Sequence, residues 1–222
     1  MKSLCHTMHM IGSGSLPTAA EAPGAELIAL NVGAAPPTSK FVGGAARSSL
    51  EVALTSASQA QVARGYQGDV LWLPIDAIQR VRFRARISTA LTSGSEVAFG
   101  LGGAINDDID TIAQIAGFHV KGTGNVLCES DDGTHDASYD SGIVLGTTFR
   151  TFDIAFTDRG GKANVGFYVE DANGQVQRIG QETKFDLSSY TGGFQFFAQA
   201  DKASGTSVGV LQVDTAEFEW KE

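Results

Sequence analysis

Cysteine is almost missing from this chain, which has two among its 222 residues, Cys5 and Cys128. Far apart and outside any C-x-x-C pattern, they exclude a disulfide framework, and each reads as a buried or incidental thiol. No run of 18 apolar residues occurs, which excludes a membrane-spanning helix. The opening "MKSLCHTMHMIGSGSLP" lacks the apolar stretch of a signal peptide. The expectation is a cytoplasmic product or a particle component assembled in a cytoplasm. Also lacking are a P-loop, a dinucleotide fingerprint and a G-x-S-x-G elbow, so nothing signals nucleotide chemistry or a serine nucleophile. Basic residues are few, 16 against 25 acidic ones, for a net charge of -9. Such a field repels polyanions and argues against nucleic acid as a partner.

What is present is strand-forming. Hydrophobic residues make up 42% and charged residues 18%, a globular composition. A chain this long buries about 70% of its unfolded surface without metal or disulfide staples. There are 27 glycines, and 13 phenylalanines outnumber tyrosine and tryptophan together. "SEVAFGLGG" sets Val97, Phe99 and Leu101 on one face, "FRTFDIAFTD" does so with Phe152, Ile154 and Phe156, and "NVGFYVEDANGQV" with Val165, Phe167 and Val169. Glycine turns separate these runs, and only "NDDIDTIAQIAG" offers a short helical turn. The pattern predicts an all-β antiparallel sandwich over residues 47–222. Residues 1–46, rich in Gly, Ala, Pro and Ser with one apolar run "ELIALNV", read as an extended N-terminal arm.

The most unusual stretch is "RVRFRARI", in which Arg80, Arg82, Arg84 and Arg86 alternate with apolar residues. One strand face therefore carries a quarter of all the basic residues. An anionic ligand site, a nucleic-acid surface, a protein contact and an internal ion-pair ladder all fit that pattern.

The succession "VRFRARIS", "SEVAFGLGGAINDD", "GFHVKGTGNV", "FRTFDIAFT", "NVGFYVEDANGQV" and "VGVLQVDTAEFEW" resembles the concanavalin A-like, laminin-G-like jelly roll over residues 70–222. With "LPIDAIQRVRFRARI" and the small-residue arm, it looks most like accessory virion proteins of tailed bacteriophages. The resemblance implies pairing of the arginine strand with the last strand, "AEFEW". Glu217 and Glu219 would then face the arginines, with Asp153 taking another, each cross-strand pair contributing about 0.2–1 kcal/mol. That ladder sets Arg84 against Glu219, and arginines left over would serve a subunit contact.

Chemistry is weakly signalled. Glu217 and Glu219 share a face at a spacing a retaining glycosidase could use, but no E-x-D-x-E run accompanies them, so no catalytic residue is assigned. Asn106, Asp108 and Asp110 flank Asp107 in a loop that could offer oxygens to calcium, although the EF-hand template fails at Thr111 and Gly117. Asp131, Asp132, His135 and Asp136 form a second acidic loop that reads as a solvated turn. Cys5, His6 and His9 lack a fourth zinc ligand. No metal or cofactor is assigned.

The function expected from the resemblance is a non-enzymatic capsid decoration protein of a virion. It would bind a major capsid protein or other virion proteins through its arm and sheet surface and self-associate, a trimer being natural. The alternative is a carbohydrate-binding, lectin-like module. Fold alone does not decide between them.

Overall fold

Alternating apolar and polar residues build nearly all of the chain into strands. The structure, a computed structural model, describes residues 4–10, 14–21, 25–44, 47–68, 73–157 and 161–221. In chain order the strands are β1 (Leu4–His9), β2 (Gly14–Ser15), β3 (Ile28–Val32), β4 (Thr38–Gly44), β5 (Arg47–Ala53) and β6 (Gln61–Tyr66). They continue as β7 (Leu73–Pro74), β8 (Ile78–Thr89), β9 (Glu96–Gly102), β10 (Ile115–Lys121), β11 (Val126–Asp131) and β12 (Asp136–Asp140). The last five are β13 (Arg150–Ala155), β14 (Gly166–Glu170), β15 (Val176–Ile179), β16 (Gly193–Lys202) and β17 (Val210–Trp220).

Two antiparallel sheets result. The first runs β15-β14-β13-β8-β17-β5-β4-β2, with β1 along the C-terminal half of β17. The second runs β12-β11-β10-β9-β16-β6-β3, with β7 on one end of β16. The expected all-β jelly-roll sandwich is the observed architecture, and the expected helical turn shrinks to a 3-10 turn at Ile109–Thr111.

The boundary expected at residue 46 is not where the sandwich starts. Among the described residues of the expected arm, β1, β2 and β4 are hydrogen-bonded into the first sheet and β3 into the second. Met8, Met10, Leu16 and Leu27 are buried in the core. The physical reason is that sheet pairing runs through backbone groups, which small residues supply as well as large ones. A composition of Gly, Ala and Ser hides that capacity.

Between the sheets lies a chain of phenylalanines. Phe83, Phe152 and Phe167 project from the first sheet, and Phe99, Phe118 and Phe196 from the second, all fully buried. Edge-to-face contacts join the layers at Phe83–Phe99 (6.0 Å), Phe99–Phe152 (5.0 Å) and Phe118–Phe167 (5.5 Å), the geometry that ring quadrupoles favour. The link from β16 to β17 is fixed differently. The buried Lys202 ammonium donates to the carbonyls of Thr55, Ala57, Gly205 and Ser207 at 2.7–3.0 Å, clamping two loops at one sandwich end.

Because residues of one strand alternate between core and exterior, the apolar half of β8 anchors in this core. Val81, Phe83, Ala85 and Ile87 point inward. The four arginines are thereby held on the outer face of the first sheet.

Candidate functional site

The arginine strand pairs with the last strand, as the resemblance implied, but the charges meet differently. Glu219 lies opposite Arg80 and Glu217 opposite Arg82, while Arg84 faces Thr215. Among the described residues neither glutamate comes within ion-pair distance of an arginine, and Arg84 faces Thr215 rather than Glu219, so the ladder setting Arg84 against Glu219 is not formed. Asp153 takes their place. Its carboxylate is fully buried on β13 opposite Arg82, and it accepts from Arg80 and from Arg82 (Nε at 2.8 Å and Nη2 at 3.2 Å). That hydrogen bond is the main cause raising the Arg82 pKa, with the charges of Asp153, Glu217 and Glu219 adding to it.

Arg84 finds a carboxylate that period-two reading places on the wrong side. The β8–β17 register slips between Val213 and Thr215, leaving Asp214 as the extra residue of a bulge. A bulge re-aims a side chain, and Asp214 Oδ2 accepts from Arg84 Nη1 at 2.5 Å. Arg86 has no carboxylate within ion-pair distance among the described residues. Its Nε donates to Gln212 Oε1 at 2.8 Å and its Nη1 to the Thr147 carbonyl at 3.3 Å. The Phe149 ring lies against both guanidinium groups, 5.1 Å from Arg84 and 4.4 Å from Arg86, within cation–π range.

These groups wall a depression of about 500 Å³ on the outer face of the first sheet, together with Val42, Gly43, Ser48 and Ser49. Phe149, Gln212 and Asp214 escaped sequence reading. Phe149 lies in a loop without periodicity, and the roles of the other two depend on the bulge.

The outer face of the second sheet is partly covered, leaving a depression of about 270 Å³ between Val62, Glu96, Asp108, Asp110 and Asp201. Residues 103–114 fold back over this face and bury Ile109, Ile112 and Ile115 against Ala98 and Phe197. Polar pins hold this flap. Arg64, almost fully buried, donates to Gln199 Oε1 (2.6 Å), the Asn106 carbonyl (2.5 Å) and Asp107 (3.0 Å). Gln199 Nε2 donates to the Asp107 carbonyl at 2.9 Å, and Asp201 accepts from the Ile109 N–H at 3.0 Å. Burial raises the Asp201 pKa to about 6 despite those hydrogen bonds.

His119, whose side chain has no exposure, bridges Glu96 through Nε2 (2.8 Å) and Glu129 through Nδ1 (3.1 Å). Burial opposes its charge, but hydrogen bonds and the charges of Glu129 and Glu96 prevail and push its pKa up to about 9. With a carboxylate on each ring nitrogen, it is an imidazolium structural bridge rather than a free base.

The acidic loops are internally engaged. Asp107 pairs with Arg64, Asp108 caps the 3-10 turn by accepting from the Asp110 N–H, and Asp110 accepts from Lys121 at 2.5 Å. Asp132 accepts from the N–H groups of Thr134, His135 and Ser189 at 2.7–2.9 Å and contacts His135 Nδ1 at 3.1 Å. Glu96, Asp110 and His119 cluster tightly enough to hold an ion, as do Asp132, His135 and Asp186. In both groups the oxygens already satisfy protein donors. Cys5 and Cys128 are free thiols, the first exposed and the second buried. The side chains of His6 and His9 lie outside the described residues.

A Lotus tetragonolobus seed lectin superposes with a TM-score of 0.59 at 10% identity, over 100% of both chains. The fold is that of the concanavalin A-like jelly rolls. Within that fold, a Mycobacterium marinum β-1,3-glucanase gives a TM-score of 0.57 at 11% identity, over 97% of each chain. A Shewanella oneidensis MR-1 protein of unknown function gives 0.61 at 11% identity, over 99% of this chain and 87% of that one. No known family and no curated protein matches the jelly roll by sequence.

Two outcomes follow from the charge geometry. Replacing both Arg80 and Arg82 by Ala strands the buried Asp153 carboxylate and lowers stability by roughly 3 kcal/mol in urea unfolding. Glu217→Gln and Glu219→Gln change it by less than about 0.5 kcal/mol; equal effects from both sets would restore the glutamate ladder. For His119 the folded pKa lies above the unfolded one. Its contribution, on the order of 3 kcal/mol, is complete below pH 6.5 and lost as pH rises through about 9. Thermal unfolding of wild type should drop between pH 6.5 and 9 more steeply than that of His119→Gln. Parallel pH profiles would remove the imidazolium bridge.

Proposed function

We propose that this jelly roll is a non-enzymatic carbohydrate-binding protein whose saccharide site is the depression over β5, β17 and β8. The observation that carries the reading is the composition of its walls. A sugar ring presents hydroxyls that both donate and accept, together with an apolar C–H surface. Arg84 and Arg86 donate in planar forks, Asp214 accepts, and Phe149 adds an aromatic surface. The size of the depression falls within the range of small-ligand sites, about 300–1,000 Å³.

The lectins among the structural neighbours support binding rather than turnover. So does the flap of residues 103–114, which covers Ala98 of β9 and Phe197 of β16 on the outer face of the second sheet with isoleucines. A glycosidase needs two carboxylates flanking a bond in an open groove. Glu217 and Glu219 stand outside the depression, opposite arginines on a sheet face. The capsid-decorating role expected from the sequence draws on no feature of these walls, and the lectin-like alternative draws on several.

A glycan screen with the full chain tests the reading. At least one saccharide should be retained, and Phe149→Ala should weaken it by about five- to tenfold without changing the thermal melt. No reducing ends should appear on prolonged incubation. Retention of no saccharide, or retention indifferent to Phe149→Ala, would contradict the proposal.

A further inference from the structure

The charge pattern along β8 narrows the ligand. The strand's arginines are unevenly partnered. Arg80 and Arg82 share the buried Asp153 carboxylate, and Arg84 pairs with Asp214. Arg86 has no carboxylate within ion-pair distance among the described residues. Glu51, the carboxylate beyond Gln212, pairs with Lys40 at 3.3 Å and accepts from Gln212 Nε2 at 2.7 Å.

The Arg86 end of the strand is also the end that opens into the depression. Arg86 Nη2 has no hydrogen-bond partner among the described residues, because its Nε and Nη1 take Gln212 and the Thr147 carbonyl. Phe149 and Gln212 hold the guanidinium plane in place. An oriented guanidinium edge without a carboxylate partner is matched by a planar monoanion, since the fork of an arginine fits a carboxylate.

We infer that the depression selects an acidic saccharide, seating a sugar carboxylate against Arg86 and Arg84 with the ring over Phe149 and Gln212. This rests on the carbohydrate-binding reading and adds the class of sugar. The Asp214 carboxylate competes with the ligand for Arg84, so it limits affinity rather than providing it.

Titration calorimetry with the full chain tests this, using an oligogalacturonate, its methyl ester and free acetate as probes. The acid should bind at least about tenfold more tightly than the ester, the scale of one charge-assisted hydrogen bond. Arg86→Gln should erase that difference. Asp214→Asn should tighten the acid several-fold and leave the ester unchanged, a gain that a merely structural role for Asp214 does not produce. Equal binding of acid and ester, or retention only of neutral glycans in the screen, would overturn the acidic preference and leave carbohydrate binding standing. Acetate competing at the same concentration as the oligosaccharide would show an anion site without sugar recognition and overturn the saccharide assignment. Retention of no saccharide at all would overturn both readings together.

Discussion

The pairing of β8 with β17 is the constraint on which the rest of the structure depends. These are the longest strands of the chain, 12 and 11 residues, and they lie side by side in the middle of the first sheet. Their inward residues, Val81, Phe83, Ala85, Leu211, Val213, Ala216 and Phe218, are core. Burying a side chain of that kind stabilises by about 1.5–3 kcal/mol, and register is fixed because a one-residue slip would turn the whole set outward. The same register decides the opposite face. Once the apolar side is buried, the arginines have nowhere to go but out, and the Asp214 bulge is the single irregularity that changes which charge meets which.

The two sheet faces are therefore chemically unlike. On the second sheet, apolar outward residues such as Ala98 and Phe197 would expose a hydrophobic patch, and the flap of residues 103–114 covers it. Buried polar groups under the flap, Arg64, Gln199, Asp201 and His119, are all hydrogen-bonded, as groups withdrawn from water must be. On the first sheet the outward arginines remain partly solvated even where they cover the buried Asp153 carboxylate, so no further cover is needed and a shallow site survives.

How much of this could be read from the sequence depended on which physical signal carried it. The inward positions Val97, Phe99, Leu101, Phe152, Ile154, Val165, Phe167 and Val169 are all core, because period-two alternation reports burial directly. The neighbouring of β8 and β17 was legible only through resemblance, since no local pattern names a strand's partner. Asp153 stood out as a charge between Phe152 and Ile154. The early strands were hidden because Gly, Ala and Ser pair through their backbones without announcing a face. Asp214, Phe149 and Lys202 were illegible for a different reason, as each takes its role from a bulge or from loops that meet only in three dimensions. The acidic stretch "NDDID" suggested a metal, whereas its carboxylates are tied to Arg64, Lys121 and a turn N–H.

The central claim is that ligand recognition sits on the open arginine face and that the flap is structural. Hydrogen–deuterium exchange of the full chain, with and without a retained saccharide, tests it most directly. The account predicts added protection in residues 84–86, 147–150 and 210–214, with exchange in 103–114 unchanged. Protection confined to 103–114 and β10 would place the site under the flap and contradict the account.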